Sequence, residues 1–206
     1  MTPPRATRDL ILPLARAAWA NCPWVQGRDF PEFFIFGVRG YRAQSMGPTK
    51  GNDVGIYDDA LFLVTPDKFI PQNGNTDPSK LGWNPGVGKP FAVLQPGVWF
   101  FRRGPHKGKI PALRQCTDEE AESLGIPKDG EFLVERSYGP GDKRNFKEWG
   151  YFAINMHPGG ASGTSSWGCQ TIPREDAEEF LLAVWEESKR HKINAIPYIL
   201  VEGPIN

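Results

Sequence analysis

The plainest chemistry in this chain belongs to a histidine and a cysteine, His157 and Cys169, twelve residues apart (169 − 157). They lie in Asn155-Met156-His157-Pro158-Gly159-Gly160-Ala161-Ser162-Gly163-Thr164-Ser165-Ser166-Trp167-Gly168-Cys169. Here an apolar, strand-like segment ends on the histidine, and a loop of glycines and small hydroxyl residues leads to Ser-x-Gly-Cys. A thiol becomes a useful nucleophile when a neighbouring base or cation favours its thiolate. The flexible loop predicts that the chain folds back, so that His157 takes the thiol proton and later returns it to a leaving amine. Gly168 permits a sharp turn, which would bring the amides of Gly168 and Cys169 to a developing oxyanion, worth about 3 kcal/mol per well-placed donor. Such a set suits acyl transfer through a thioester.

Trp167, Ser166 and Ser165 adjoin the nucleophile and are candidates for substrate contact. Arg42, after Tyr41, is a further candidate, because a guanidinium grips a carboxylate with two parallel hydrogen bonds. Arg102–Lys109 reads as a basic loop, first of all a solvated exposed one, whose positive charges and His106 could also meet an anionic substrate, whereas His191, among Lys189, Arg190 and Lys192, reads as a solvated histidine. The chain has only three cysteines, Cys22, Cys116 and Cys169, with no CxxC spacing, so neither a disulfide framework nor a zinc cluster is expected. Cys22 and Cys116 read as small buried hydrophobes. No cofactor is implied.

Around these residues the sequence predicts mostly strands. Phe33–Gly40, Gly55–Val64, Phe91–Leu94, Gly97–Phe101, Phe132–Arg136 and Trp149–Met156 are apolar runs bounded by glycine, proline or polar residues. Tyr41–Asn52 reads as a polar loop, and residues 70–90, rich in Pro, Gly, Asn and Asp, as a long surface loop. Asp58 and Asp59 interrupt their apolar strand and suggest a sheet edge. Thr117-Asp118-Glu119-Glu120 is an N-cap with an acidic first turn. Beyond Cys169 the period changes: Ala177, Phe180, Leu181, Val184 and Trp185 form one apolar helical stripe, with Pro173 and acidic residues at its start. Ile196–Val201 is a last strand, with Pro197 at an edge or a strand start.

The whole is consistent with one domain over residues 1–206, long enough to bury a core. Gly 23, Pro 20, Trp 7 and Phe 13 favour a loop-rich, mainly β fold over a helix bundle. With a net charge of zero, no global field recruits nucleic acid or an anionic membrane. Leu10–Trp19 resembles an export signal, but Arg16 breaks the run and Leu10, Leu14, Ala17 and Ala18 keep helical spacing, so a helix of the mature fold is expected. No run reaches the roughly 18 apolar residues of a membrane span. Synthesis in the cytoplasm without a signal peptide, and no membrane partner, are expected.

The C-terminal region resembles the L,D-transpeptidase catalytic domain, the YkuD fold. The resemblance rests on Ile154-Asn155-Met156-His157, Ser166-Trp167-Gly168-Cys169, Arg174-Glu175-Asp176-Ala177 with the helix that follows, and the strand Ile196–Val201, a region spanning residues 150–202. Trp167, Thr171 and Pro158 stand where that family usually carries a histidine, an arginine and a small residue. Met46-Gly47, Tyr57-Asp58-Asp59, Pro96-Gly97-Val98-Trp99 and Thr164–Ile172 resemble proteins of tailed bacteriophages. These resemblances imply an α+β, mainly β fold: a β-sandwich or barrel with an N-terminal helix and a helix after the catalytic cysteine. They also imply a cysteine peptidase or transpeptidase of peptidoglycan stem peptides, released to the periplasmic wall during phage lysis or carried by a virion. The alternative is a virion or wall-binding protein that keeps the fold without turnover.

Overall fold

The computed structural model describes residues 1–42, 53–106, 108 and 110–205. The Met46 motif, Lys107, Lys109 and most of the loop read over Tyr41–Asn52 lie outside these residues. Among the described residues the architecture is mainly β with three α-helices, α1 (Arg8–Ala20), α2 (Asp118–Leu124) and α3 (Arg174–Arg190). The strands are β1 (Phe34–Arg39), β2 (Asp59–Val64), β3 (Phe69–Gly74), β4 (Trp83–Asn84), β5 (Lys89–Leu94) and β6 (Gly97–His106). They continue with β7 (Ile110–Gln115), β8 (Phe132–Ser137), β9 (Phe146–Gly150), β10 (Asn155–Pro158), β11 (Gln170–Ile172) and β12 (Ile196–Glu202).

Eight strands form one sheet in the order β11-β10-β7-β6-β12-β1-β2-β3, and β4-β5-β8-β9 form a second. The large sheet curls until its ends meet, where Asn75, just past β3, bridges Thr171 of β11 through N–H to O bonds of 2.8 Å in both directions. It is therefore nearly a barrel.

Side-chain alternation along the strands then divides the core in two. The inner face of the curled sheet (Ile35, Leu61, Leu63, Phe101, Leu113, Met156, Ile172, Tyr198) packs against the stripe Ala177, Phe180, Leu181 and Val184 of α3 and against Leu94, Phe132 and Val134 of the second sheet. The outer face (Phe34, Phe36, Phe62, Val98, Ile199) is covered by Ile11, Ala15 and Trp19 of α1, with Cys22, Cys116 and Ala121 beside them. Cys22 and Cys116 are both buried, and burial pushes the Cys116 thiol up to about 12, so both are packing groups.

Several expectations are corrected by these contacts. Residues 70–90 are not a surface loop: they contain β3, β4 and the start of β5, and Asn73, Asn75, Thr76 and Asp77 are buried. Composition misleads here because many of their polar groups bond internally, as the Asn75 amide does to Asp77 O and Thr76 Oγ1 does to Arg39. Asp58 and Asp59 mark no sheet edge, since β2 lies between β1 and β3 and both carboxyls are fully buried. Asp59 accepts the Gly40 and Thr76 N–H groups at 2.5 Å each. The run Trp149–Met156 is not one strand: β9 ends at Gly150 in one sheet and β10 begins at Asn155 in the other, with Ala153 at φ of 54° between them. Of the eight residues read as a basic loop at Arg102, the first five, Arg102–His106, are strand, because β6 and β7 pair as far as His106 and Ile110. Pro173 is the N-cap of α3, one position ahead of its first turn. The last strand, β12, is central, between β6 and β1, and Pro197 sits near its start.

Candidate functional site

The curled sheet decides where His157 and Cys169 stand. β10 and β11 run parallel, with Met156 opposite Gln170 and His157 opposite Thr171. Continuing that register by one residue puts Cys169 opposite Asn155. Residues directly opposite share a face and residues two apart return to it. Met156 and Gln170 point inward, where Gln170 accepts the Tyr198 hydroxyl at 2.9 Å. Asn155, His157, Cys169 and Thr171 therefore share the outer face. Cβ atoms in such diagonal positions are roughly 7–8 Å apart.

The turn ahead of Cys169 is held by one hydroxyl. Ser166 Oγ accepts the Gly168 N–H at 3.0 Å and donates to Cys169 O at 2.6 Å. The Ser166 N–H in turn donates to Ser79 Oγ at 2.5 Å, and the Ser79 and Thr164 hydroxyls are 2.8 Å apart. Gly168 has φ of 147°, and a Cβ there would lie 2.5 Å from Ala92 O, so this turn accepts only glycine. Two expectations change. Ser166 is 1% exposed and positions the turn instead of meeting substrate, and the Gly168 amide is already spent on it.

Cys169 is half-buried, and the hydrogen-bond partners of its sulfur among the described residues are backbone groups. The Asn155 N–H donates to Sγ at 3.4 Å, and Ala153 O lies 3.9 Å away. Burial pushes the thiol up from its ordinary value, and the Asn155 N–H draws it partly back. The surroundings thus hold a neutral thiol, not a preformed thiolate–imidazolium pair. His157 is 7% exposed, with Nδ1 at 2.7 Å from Pro158 O. In the neutral ring that contact assigns the proton to Nδ1 and makes Nε2 the basic nitrogen. His106, at the end of β6, stacks on His157 with ring centroids 4.1 Å apart and planes at 13°. Its sequence context as part of a basic loop gave no hint of this pairing, which needs β6, β7 and β10 side by side.

The remaining candidates separate. Trp167 is 62% exposed beside the β4–β5 turn, its ring 4.0 Å from where a Gly86 Cβ would stand. Trp83, half exposed and stacked on Tyr138, and Tyr151 add further exposed aromatic surface. Ser165 is exposed at φ of 55°. Arg42 donates to Thr2 O and, at 2.9 Å, to Asn73 Oδ1 of β3. His191 is less solvated than expected, with Nε2 3.6 Å from Asp67 and 3.7 Å from Glu187. Those two carboxylates are also paired with Arg190, and Glu187 with Lys68 as well.

No helix among the described residues is long and apolar enough to cross a membrane. Compared with known family models and with curated proteins, the chain gives no match.

Proposed function

We propose that this chain is a cysteine-dependent enzyme that breaks or exchanges an amide bond in peptidoglycan stem peptides through a thioacyl intermediate. The observation that carries the reading is the shared outer face of Cys169 and His157 on two paired parallel strands. The substrate class rests on the resemblance of residues 150–202 to L,D-transpeptidase domains and of other segments to phage proteins. A phage lytic enzyme, reaching the wall through a lysis hole or from a virion, fits that combination.

Because the thiol is neutral at rest, its proton leaves as it attacks. Sγ bonds to the carbonyl carbon while His157 Nε2 takes the proton, with Nδ1 anchored on Pro158 O. With the Gly168 amide engaged by Ser166, the oxyanion role falls to the Cys169 amide. Collapse breaks the carbon–nitrogen bond, and the imidazolium protonates the departing amine. Water then hydrolyses the thioester with His157 as base, or an amine replaces it; the phage-like segments favour water. Purified cell walls treated with parent and Cys169→Ala protein, and analysed by mass spectrometry, test the reading. New peptide fragments are expected from the parent alone, and equal products from both end it.

One observation favours the second reading, a wall- or virion-binding module without turnover: Trp167, two residues from a thiol held neutral, is exposed, as are Trp83 and Tyr151. In that case the parent sediments with walls but releases nothing.

A further inference from the structure

His106 and His157 are 51 residues apart in the chain (157 − 106), yet their rings meet flat, with centroids 4.1 Å apart and planes at 13°. The sheet brings them together. Gly104 of β6 is opposite Ala112 of β7, and the β10–β7 register, continued by one residue, puts His157 opposite Ala112 as well. His106, two residues past Gly104, therefore returns to the outer face that His157 occupies. Beside His157, β7 contributes only the Ala112 methyl, which leaves room for an imidazole arriving from β6.

Two restraints act on the His157 ring. Pro158 O, 2.7 Å from Nδ1, holds one edge, and the His106 ring holds the plane. The stack also constrains charge. One imidazolium beside a neutral ring is tolerated, whereas two of them face to face repel, because like charges in contact disfavour each other. Such a pair takes up its protons in two steps that belong to both rings. Among the described residues, the charged and titratable groups facing it from neighbouring elements are Arg102 of β6, paired with Glu120 of α2, Arg114 of β7 and Cys169 of β11. Tyr57 adds a hydroxyl against Gly159, with Glu175 acting on it. The two arginines work in the same direction as the stack, against a second positive charge.

We propose that His106 is a positioning residue for His157: it fixes the plane of the base and shares its proton, so that His157 still accepts from Cys169 in mild acid that would protonate an isolated imidazole. When Cys169 attacks, its proton passes to His157 Nε2, and the single positive charge then lies against a neutral His106. An imidazole held in one orientation presents Nε2 to the thiol without a search, which is the part of the barrier that positioning lowers. This deepens the proposed function and rests on it for the role of His157 as base.

The chain has three histidines, so each imidazole can be followed by NMR in the full-length, histidine-labelled Cys169→Ala chain between about pH 4.5 and 8.5, with His191 as reference. The His106 and His157 signals are expected to share two titration steps. An added His106→Phe change keeps a flat ring but removes its proton. His157 should then titrate in one step, its midpoint raised by about half a pH unit or more, while His191 stays put. Independent single steps before that change, or a His157 midpoint unmoved or lowered after it, overturn the pairing; the first measurement decides alone if the variant does not fold. On purified cell walls, with Cys169 intact, His106→Ala should lower kcat about tenfold and change KM less than about twofold. His106→Phe should regain most of that kcat near pH 8 and lose it at higher pH than the parent on acidification. Undiminished kcat in His106→Ala overturns the positioning role. The failures are separable: turnover with uncoupled histidines sinks the pair and leaves the enzyme, whereas coupled histidines without turnover in the parent sink the enzyme and leave the pair.

Discussion

Gln170 and Cys169 are neighbours in the chain but belong to regions of opposite character. Gln170 points into the curled sheet, in a polar knot where nearly every group is matched. Tyr198 donates to its Oε1, and Arg39 bonds to Thr76 Oγ1, Thr76 O, Leu94 O and Asp77. Cys169 points out, onto a face that holds a neutral thiol and the stacked His106 and His157 rings. One strand supplies both because its side chains alternate. The inner set spends its polar groups on holding the barrel ends together; the outer set carries the candidate chemistry.

That contrast implies that inner substitutions cost stability and outer ones cost activity. The largest effect on stability is expected from Arg39→Ala. It takes the guanidinium from the buried Asp77 carboxylate and its hydrogen bonds from the Thr76 and Leu94 carbonyls, for a loss of about 3–5 kcal/mol in urea unfolding. A loss below 1 kcal/mol would show that the knot is not as tightly coupled as its contacts indicate.

Asp58 runs the other way. Its carboxyl is fully buried, and burial, with Asp77 and Asp53 nearby, pushes it up to about 6 from an ordinary 3.8. The native state thus holds that proton more tightly than the unfolded chain. Stability is undiminished below about pH 4 and falls as pH rises through 6. Burial likewise raises Asp59, extending the decline upward. Asp58→Asn should stabilise the protein by roughly 1–3 kcal/mol at pH 7.5 and by nothing at pH 3.5. Thermal melts at the two pH values measure this, and an equal shift at both would contradict it.

Gly168→Ala tests the boundary between the two regions. Its φ and the approach of Ala92 O predict strain of about 1–3 kcal/mol, together with a changed alkylation rate at Cys169, because the Ser166 clamp loses its geometry. Unchanged alkylation would separate the turn from the thiol. Smallest of all, Cys169→Ala should shift stability by less than about 1 kcal/mol, since the hydrogen bonds of the sulfur among the described residues are two long ones to backbone groups. A larger loss in the same unfolding experiment would make Cys169 a structural residue.

Much of the scaffold was legible because local pattern and tertiary role agree. The capping signal at Thr117 yields a capping box, with Thr117 and Glu120 bonding reciprocally. The stripe Ala177–Val184 becomes the inward face of α3, and the apolar run at Phe34 becomes β1. Failure came where polarity was read as exposure. Asn75, Thr76, Asp77, Asp58 and Asp59 are buried because partners distant in sequence, such as Arg39, Gly40 and Thr171, satisfy much of their hydrogen bonding. No local pattern announces such partners.

For the candidate site the division is similar. From the sequence alone come the identities of His157 and Cys169, the glycine that must precede the thiol, and the hydroxyl-rich turn between them. Strand order alone decided that both face outward, that His106 stacks on His157, and that Ser166 is a clamp. The physical reason is that residue type and short spacing act along the chain, whereas a site is assembled across strands. Register between distant segments is set by the whole core and not by any one of them.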